Sequence, residues 1–274
     1  MKLNRILKRT MHLIHPLLQT DLLFIKKLQP EGWSDITPYI EFYLRTNYCF
    51  PVKIIVHNEL AGIGTCIVHH HTAWLAHIIV HPDHRNKGLG TILTQALIDL
   101  LKQKNCSTIQ LIATSLGKPV YSKLGFTSET DYLLFTCDQP LTATTITTPF
   151  DKKFEREIIA LDHHVTGENR QELLSEHLPF SRLIIENNTL EGFYLPTLGE
   201  GLIIAKKEEA GAALLALKHS SINKTGLPID NKVGIEFFTR HGLTESFRGT
   251  KMILGDKLKW HPENMYSRIG GNLG

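Results

Sequence analysis

Cysteine is scarce in this chain: four residues in 274, at positions 49, 66, 106 and 137, with no C-x-x-C pair. That is too few for a disulfide scaffold, and the spacing suits no zinc site, so all four are read as reduced thiols. Long apolar runs are missing too. No stretch approaches the ~20 residues of a membrane span. The first 20 residues carry Lys2, Arg5, Lys8 and Arg9 without an acid, as a signal peptide would begin, but His12, His15 and Pro16 interrupt the apolar run that should follow. A cytoplasmic protein with a solvated basic extension over residues 1–11 is expected, with no membrane partner. Excess charge is small as well, 30 Lys and Arg against 27 Asp and Glu. Such a balance argues against a nucleic-acid partner.

What is present is ordinary globular composition, 42% hydrophobic and 21% charged, which excludes collagen-like, coiled-coil and wholly disordered classes. At roughly 150 residues per domain, the length predicts two modest domains, with one domain carrying large insertions as the weaker alternative. The first half alternates strand and helix signals. Strands are expected at His12–Leu18, Trp74–Val80, Thr108–Ala113 and Tyr132–Cys137. A hairpin joins Val52–His57 to Gly62–His69. Helices are expected at Asp21–Leu28, at Ser34–Arg45 with Ser34 as N-cap, and at Pro119–Leu124. Leu89, Ile92, Leu93, Ala96, Leu97, Leu100 and Leu101 lie on one face of a helix from about Gly88 to Lys104. The threonine-rich stretch Gln139–Pro149 reads as a linker or an edge strand. Beyond it the pattern repeats: strands at Arg182–Glu186, Gly192–Leu195 and Gly201–Ala205, then a helix through Ala210–His219. Tyr121-Ser-Lys-Leu-Gly-Phe126 is matched by Phe238-Thr-Arg-His-Gly-Leu243, which suggests an internal duplication.

The segment that carries chemistry is Ile78-Ile-Val-His-Pro-Asp-His-Arg-Asn-Lys-Gly-Leu-Gly90, a strand running through a turn into a helix start. A helix N-terminus offers unpaired N–H groups and the positive end of its dipole, and glycines let a phosphate approach them closely. Arg85 and Lys87 add positive charge at the rim, so a pyrophosphate cradle is expected. It is not a dinucleotide fingerprint, because Leu93 stands where the third glycine belongs. Nor is it a Walker A loop, since Gly117-Lys118 is followed by Pro119. The 15 histidines form no H-E-x-x-H, His69-His-His71 reads as a hairpin turn, and no metal is expected. No G-x-S-x-G elbow exists.

Arg85-x-x-Gly88-x-Gly90, followed 36 residues after Arg85 by Tyr121-x-x-Leu-Gly-Phe126, resembles the GNAT superfamily of acetyl-CoA-dependent N-acetyltransferases. A two-domain subgroup, whose second domain is a degenerate acetyltransferase-like copy, is suggested by Glu31-Gly-Trp33, Ala73-Trp74, Ala113-Thr114 with Gly117 and Pro119, Asp162 with Gly167-Glu-Asn-Arg170, and Met252 near Gly255. The resemblance implies an α/β (α+β) fold of two tandem GNAT-like domains, each a central mixed sheet flanked by helices. The domains would be residues 12–138 and 150–274, separated by 139–149.

The resemblance also implies acetyl-CoA as cosubstrate. Its pantetheine arm would pair with the main chain of Ile78, Ile79 and Val80, and its pyrophosphate with Arg85, Asn86, Lys87, Gly88, Leu89, Gly90 and Thr91. Tyr121 corresponds to the family's general acid, with a packed core tyrosine as the alternative. The strand at Trp74–Val80 contains no acid, which leaves His77 as the one candidate base there or else a structural residue. The acceptor would be an amine of a small molecule or protein, and oligomeric state is left open. In the second half only Gly211 survives of the phosphate loop, Glu208 and Glu209 oppose an anion, and Phe238 replaces the tyrosine. Asp162 and Arg170 are candidates for a second ligand contact or for an ordinary surface ion pair. The competing function is a non-catalytic acyl-CoA sensor.

Overall fold

The computed structural model describes residues 14–136, 139–142, 147–222 and 224–274. The expectations for residues 1–11, His12, Cys137 and 143–146 lie outside them. In chain order the elements are β1 (Ile14–Pro16), α1 (Leu22–Ile25), α2 (Thr37–Arg45), β2 (Cys49–Val56), β3 (Glu59–His69), β4 (Thr72–Val80), α3 (Leu89–Gln103), β5 (Thr108–Ala113), α4 (Lys118–Lys123), β6 (Thr127–Thr136) and β7 (Thr148–Pro149). There follow α5 (Glu155–Thr166), α6 (Gln171–Ser175), β8 (Arg182–Glu186), β9 (Thr189–Leu195), β10 (Leu202–Ala205), α7 (Glu208–His219), β11 (Lys224–Pro228), α8 (Lys232–Arg240), β12 (Thr244–Gly255) and β13 (Met265–Ser267). No helix among the described residues is long and apolar enough to cross a membrane. Cys49, Cys66 and Cys106 are buried, and Cys66 and Cys106 are free thiols.

Two compact units divide the chain. The first holds the described residues through Leu111 together with Leu116–Thr127 and Ile253–Asp256; the second holds Ile112–Ser115, Ser128–Met252 and Lys257–Gly274. In the first unit the strand order is β1-β2-β3-β4-β5, followed by the last residues of β12. From β1 to β4 the neighbours run antiparallel, and β4 and β5 are parallel. The helix α3 forms close to its expected limits and buries Leu89, Leu93, Leu97, Ile98 and Leu101, and Leu89 packs with Ile54, Ala61 and Val80. Ile92, Ala96 and Leu100 are half-buried at the margin of that stripe.

Two helix expectations need correction. The helix expected at Ser34 starts at Thr37, with Ile36 at the N-cap. Proline lacks an N–H and fits only the first turn, so Pro38 fixes where the helix opens, while Asp35 Oδ1 accepts the Thr37 amide at 2.9 Å. The helix expected over Asp21–Leu28 is three single turns, of which Gln19–Asp21 and Lys26–Leu28 are 3-10. Its buried residues Ile25 and Leu28 are spaced by three, the period of that tighter helix.

In the second unit β6 lies between β12 and β11, and a separate sheet runs β13-β10-β9-β8-β7. The internal repeat is visible in the hairpins. His57 and Asn58 turn β2 into β3 with positive φ, Asn187 and Asn188 turn β8 into β9 in the same way, and each hairpin shifts register at the matching place, after Ile54 and after Ile184. Asp162 and Arg170 are not a surface pair. Both are buried, with Arg170 Nη2 and Nε donating to Asp162 Oδ1 and Oδ2 at 2.6 and 3.1 Å and Nη1 reaching Leu273 O at 3.4 Å. Removing one partner of a buried pair leaves the other charge uncompensated. Asp162→Ala is therefore expected to cost about 3–5 kcal/mol, read as a lower urea midpoint for the transition that reports the second unit.

Candidate functional site

The site begins with an irregularity in β4. Against β3, Ala76 pairs with Thr65 whereas Ile79 pairs with Ile63, so β4 carries one extra residue. His77 sits at this bulge with φ 47°. A bulge bends its strand and interrupts the ladder, and the consequence is on the other edge of β4. Its pairing to β5 covers Thr72–Trp74 with Thr108–Gln110 and then stops. Ile79 and Val80 pair with Ile63 and Gly62 of β3 on one side, and among the described residues the β5 ladder does not reach Ile78–Val80 on the other.

Immediately beyond, Pro82–His84 makes a 3-10 turn and the chain enters α3 through Asn86 (φ 59°) and Gly88 (φ 79°). The first bond of the helix runs from Ile92 N to Gly88 O at 3.1 Å, so the first-turn amides of Leu89, Gly90 and Thr91 have no partner within the helix. Such N–H groups at the positive end of a 15-residue helix suit an anion. Gly88 is needed for its φ, which disfavours a side chain; sterically the position is open, since a Cβ there would meet no atom within 4 Å. The residues expected in the cradle are thus brought together, with Leu89 buried beneath as the anchor. Arg85 and Lys87 also hold the loop itself. Arg85 Nε donates to Val80 O at 3.1 Å and Lys87 Nζ to Asp83 O at 2.8 Å.

Tyr121 lies in α4, which opens with Lys118-Pro119 and ends before Gly125. Its ring packs edge-on against Phe126 at 5.9 Å, and burial pushes the phenol up to about 12. It is a protonated donor at neutral pH.

His77 is surrounded by aromatic rings that the sequence reading had not gathered. The ring centroids of Tyr39, Tyr43 and Trp33 lie 5.1, 5.6 and 6.2 Å from that of His77. Tyr43 Oη and His77 Nδ1 share a hydrogen bond of 2.8 Å. If the phenol donates, Nε2 keeps the ring proton; if Nδ1–H donates, Nε2 carries the lone pair. Tyr39 and Tyr43 are on the face of α2 four residues apart, which is the signal that pairs them. Nothing in the sequence links them to a residue 34 positions away.

The second unit repeats the order strand, helix, strand, helix in β10, α7, β11 and α8, yet differs wherever the first unit is open. β10 pairs with β9 in unbroken register, and where its register shifts against β13, between Ile203 and Ile204, the extra residue is on β13. Its other edge is taken by β13, and Arg268 N donates to Gly226 O of β11 at 2.7 Å. Gly211, expected as a remnant of the phosphate loop, has a different purpose: a Cβ there would come within 2.2 Å of the Tyr266 ring, which lies over it. Phe238 is fully buried, 4.8 Å from Phe135. Among the described residues, no three His, Cys, Asp or Glu side chains converge as a metal site would require.

Residues 15–126 match the Acetyltransferase (GNAT) family. A Pyrococcus horikoshii protein assigned as an acetyltransferase superposes with TM-score 0.82 at 18% identity, covering 95% of each chain. A tandem GNAT protein from the clavulanic acid biosynthesis pathway superposes with TM-score 0.60 at 11% identity, over 88% of this chain and 98% of that one. At such identities they share the fold. The uncharacterized protein YyaT of Bacillus subtilis is 27% identical over 99 residues, 36% of this chain and 67% of YyaT. The uncharacterized N-acetyltransferase ycf52 of Pyropia yezoensis is 39% identical over 54 residues, 20% of this chain and only 31% of its own length.

Burial lowers the His77 imidazole to about 4, beneath the ordinary value near 6.5. The unfolded chain therefore takes up this proton first. The stability contributed by neutral His77 is fully present above pH 6.5 and is lost as pH falls towards 4, by up to about 1.4 kcal/mol per pH unit. His77→Gln is expected to flatten the stability profile across that window, measured by urea unfolding at a series of pH values.

Proposed function

We propose that this chain is an acetyl-CoA-dependent N-acetyltransferase acting on an amine of a small molecule or protein. Residues 12–138 form its working domain, 139–149 the connection, and 150–274 a degenerate copy. The observation that carries the reading is the row of first-turn amides at the start of α3, which have no partner within the helix, set beyond the part of β4 where its pairing to β5 stops. The row suits a pyrophosphate, with Arg85 and Lys87 at its rim, and the edge at Ile78–Val80 suits an amide-bearing arm. The thioester supplies an acyl carbon that an amine can attack.

In the proposed reaction the amine nitrogen bonds to that carbon, the carbon–sulfur bond breaks, the nitrogen releases one proton to solvent, and the sulfur leaves with the proton that Tyr121 donates. Burial keeps the phenol protonated at neutral pH, and solvent returns its proton afterwards. His77, neutral at pH 7, accepts a hydrogen bond from a neutral amine through Nε2 when Nδ1–H is given to Tyr43. A group titrating near 4 cannot strip an ammonium, so the acceptor must arrive deprotonated. That weak basicity, with no acid on β4, is also the observation that favours the sensor reading, in which the cofactor binds and no transfer follows. Thiol release from acetyl-CoA with a panel of amines separates the two.

Calorimetry of the full chain is expected to give one acetyl-CoA per monomer, because β13 and Tyr266 fill the corresponding place in the second unit. Gly88→Asp, which adds a negative charge and a side chain in a left-handed position, is expected to weaken that binding at least about a hundredfold, roughly 2.7 kcal/mol. Unchanged affinity in folded Gly88→Asp would move the cradle elsewhere. Tyr121→Phe keeps the packing on Phe126 and removes the transferable proton. A fall in kcat of about 10²–10⁴-fold is expected, with acetyl-CoA affinity retained. A near-normal kcat would return Tyr121 to the role of a core residue.

A further inference from the structure

The half-buried margin of α3 has a counterpart on the sheet. Phe50 and Val52 stand four and two residues before Ile54, so the three share one face of β2, and Ile54 is the one that packs with Leu89. Phe50 and Val52 are only half-buried. The cause is the shortness of β1, which pairs with Val52–Ile54 and then adds a single bond, from Leu17 N to Pro51 O at 3.0 Å. Between β2, the margin of α3 and the last turn of α2 an apolar groove of about 470 Å³ remains, within the roughly 300–1,000 Å³ of a small-molecule site. Its lining includes none of residues 78–91.

Leu44, Val52, Ala96 and Leu100 are among its walls, together with the rings of Phe50 and Tyr43. Both rings are engaged: Lys104 Nζ sits 3.5 Å from the Phe50 centroid, and Tyr43 lies against His77. The surface left for a ligand is therefore aliphatic. Two cations stand beside it, Lys104 on Phe50 and Arg45 over Phe42 at 5.5 Å, and their described contacts are with rings rather than carboxylates. The acids of the two lining helices, Glu41 and Asp99, do not pair with them; Asp99 accepts from Gln95 Nε2 at 2.8 Å, and Glu41 is exposed. An aliphatic groove with an uncompensated ammonium at its side suits a ligand with an alkyl chain and a negative head.

We propose that this groove is a second binding site, which takes a single-chain alkyl carboxylate of medium length, its chain along Val52, Ala96 and Leu100 and its carboxylate on Lys104. A concave groove admits one chain and not the plane of a bilayer. Each methylene buried there tightens binding by up to about fourfold, and a charge-assisted hydrogen bond to the ammonium is worth about tenfold. The proposal stands apart from the acetyltransferase reading, and its test needs neither acetyl-CoA nor turnover.

The test is calorimetric titration of the full chain with butyrate, octanoate, octanol and octylamine. Octanoate is expected to bind at least about tenfold tighter than butyrate and about tenfold tighter than octanol or octylamine. Lys104→Gln, at a helix end where it leaves the core untouched, is expected to erase the preference for octanoate over octanol and to keep octanol binding. Ala96→Phe fills the groove and is expected to remove both. Equal binding of octanoate and butyrate, a preference for the amine, a carboxylate preference that survives Lys104→Gln, or unchanged binding in folded Ala96→Phe would each overturn the proposal. Displacement of octanoate by coenzyme A would also overturn it, by moving the chain to the edge of β4. So would a failure of octanoate to bind. In that case a dimer in light scattering that Leu100→Asp separates would assign the groove to a contact between copies, and binding by a chain lacking residues 1–13 would assign it to those residues.

Discussion

One inserted residue in β4 governs the first unit. A strand in full register with both neighbours would present no unpaired backbone, and the sheet would be a closed surface. The bulge at His77 changes the pleat by one position, so that Ala76 and Ile79 pair with Thr65 and Ile63, and the hydrogen-bonding edge beyond it is left without β5 as a partner. Unpaired backbone polar groups are costly when buried, and a fold retains them only where something else is to pair with them. The left-handed conformation of His77, the break in the ladder and the glycine-led helix start that follows are successive parts of one arrangement along about fifteen residues of chain.

The second unit shows the same scaffold with that arrangement undone. β10 has no extra residue, its free edge is covered by β13, and the space above Gly211 is filled by an aromatic ring. The Lys218 ammonium is buried close by, donating to Ser267 Oγ at 2.7 Å and Gly201 O at 3.3 Å, with burial lowering it to about 7. Where the first unit spends polar groups on an opening, the second spends them on closing one. The duplicated hairpins show how much sequence can change around a constant register: His57-Asn58 and Asn187-Asn188 make equivalent turns because asparagine and histidine tolerate positive φ better than most residues.

The parts of this molecule that are legible in its sequence are those written locally. Strand, turn and helix from Ile78 to Lys104 follow from apolar period and glycine placement, and α3 begins one residue after Gly88. Tyr121 is found from its own short motif. The bulge is not legible, because an extra residue in β4 is defined only against β3. The aromatic cluster on His77 joins residues 33, 39 and 43 to residue 77 and depends on that same bulge for its geometry. Asp162 and Arg170 read as a surface pair because a helix and a following turn normally place such residues outside; their burial comes from the packing of residues near 273. β13, three residues long, has too short a pattern to announce itself.

The amide row at the start of α3 has a consequence for how this chain can vary. Backbone N–H groups belong to every residue except proline, so a pocket built from them is indifferent to most side chains at positions 86, 87, 89 and 91, provided Leu89 is replaced by something apolar and the left-handed turns are kept. The hereditary constraint contracts onto Gly88 and onto the exclusion of proline from the donor positions. Relatives could therefore diverge widely in this loop while keeping its capacity for anions, and a comparison scored by residue identity would understate their kinship.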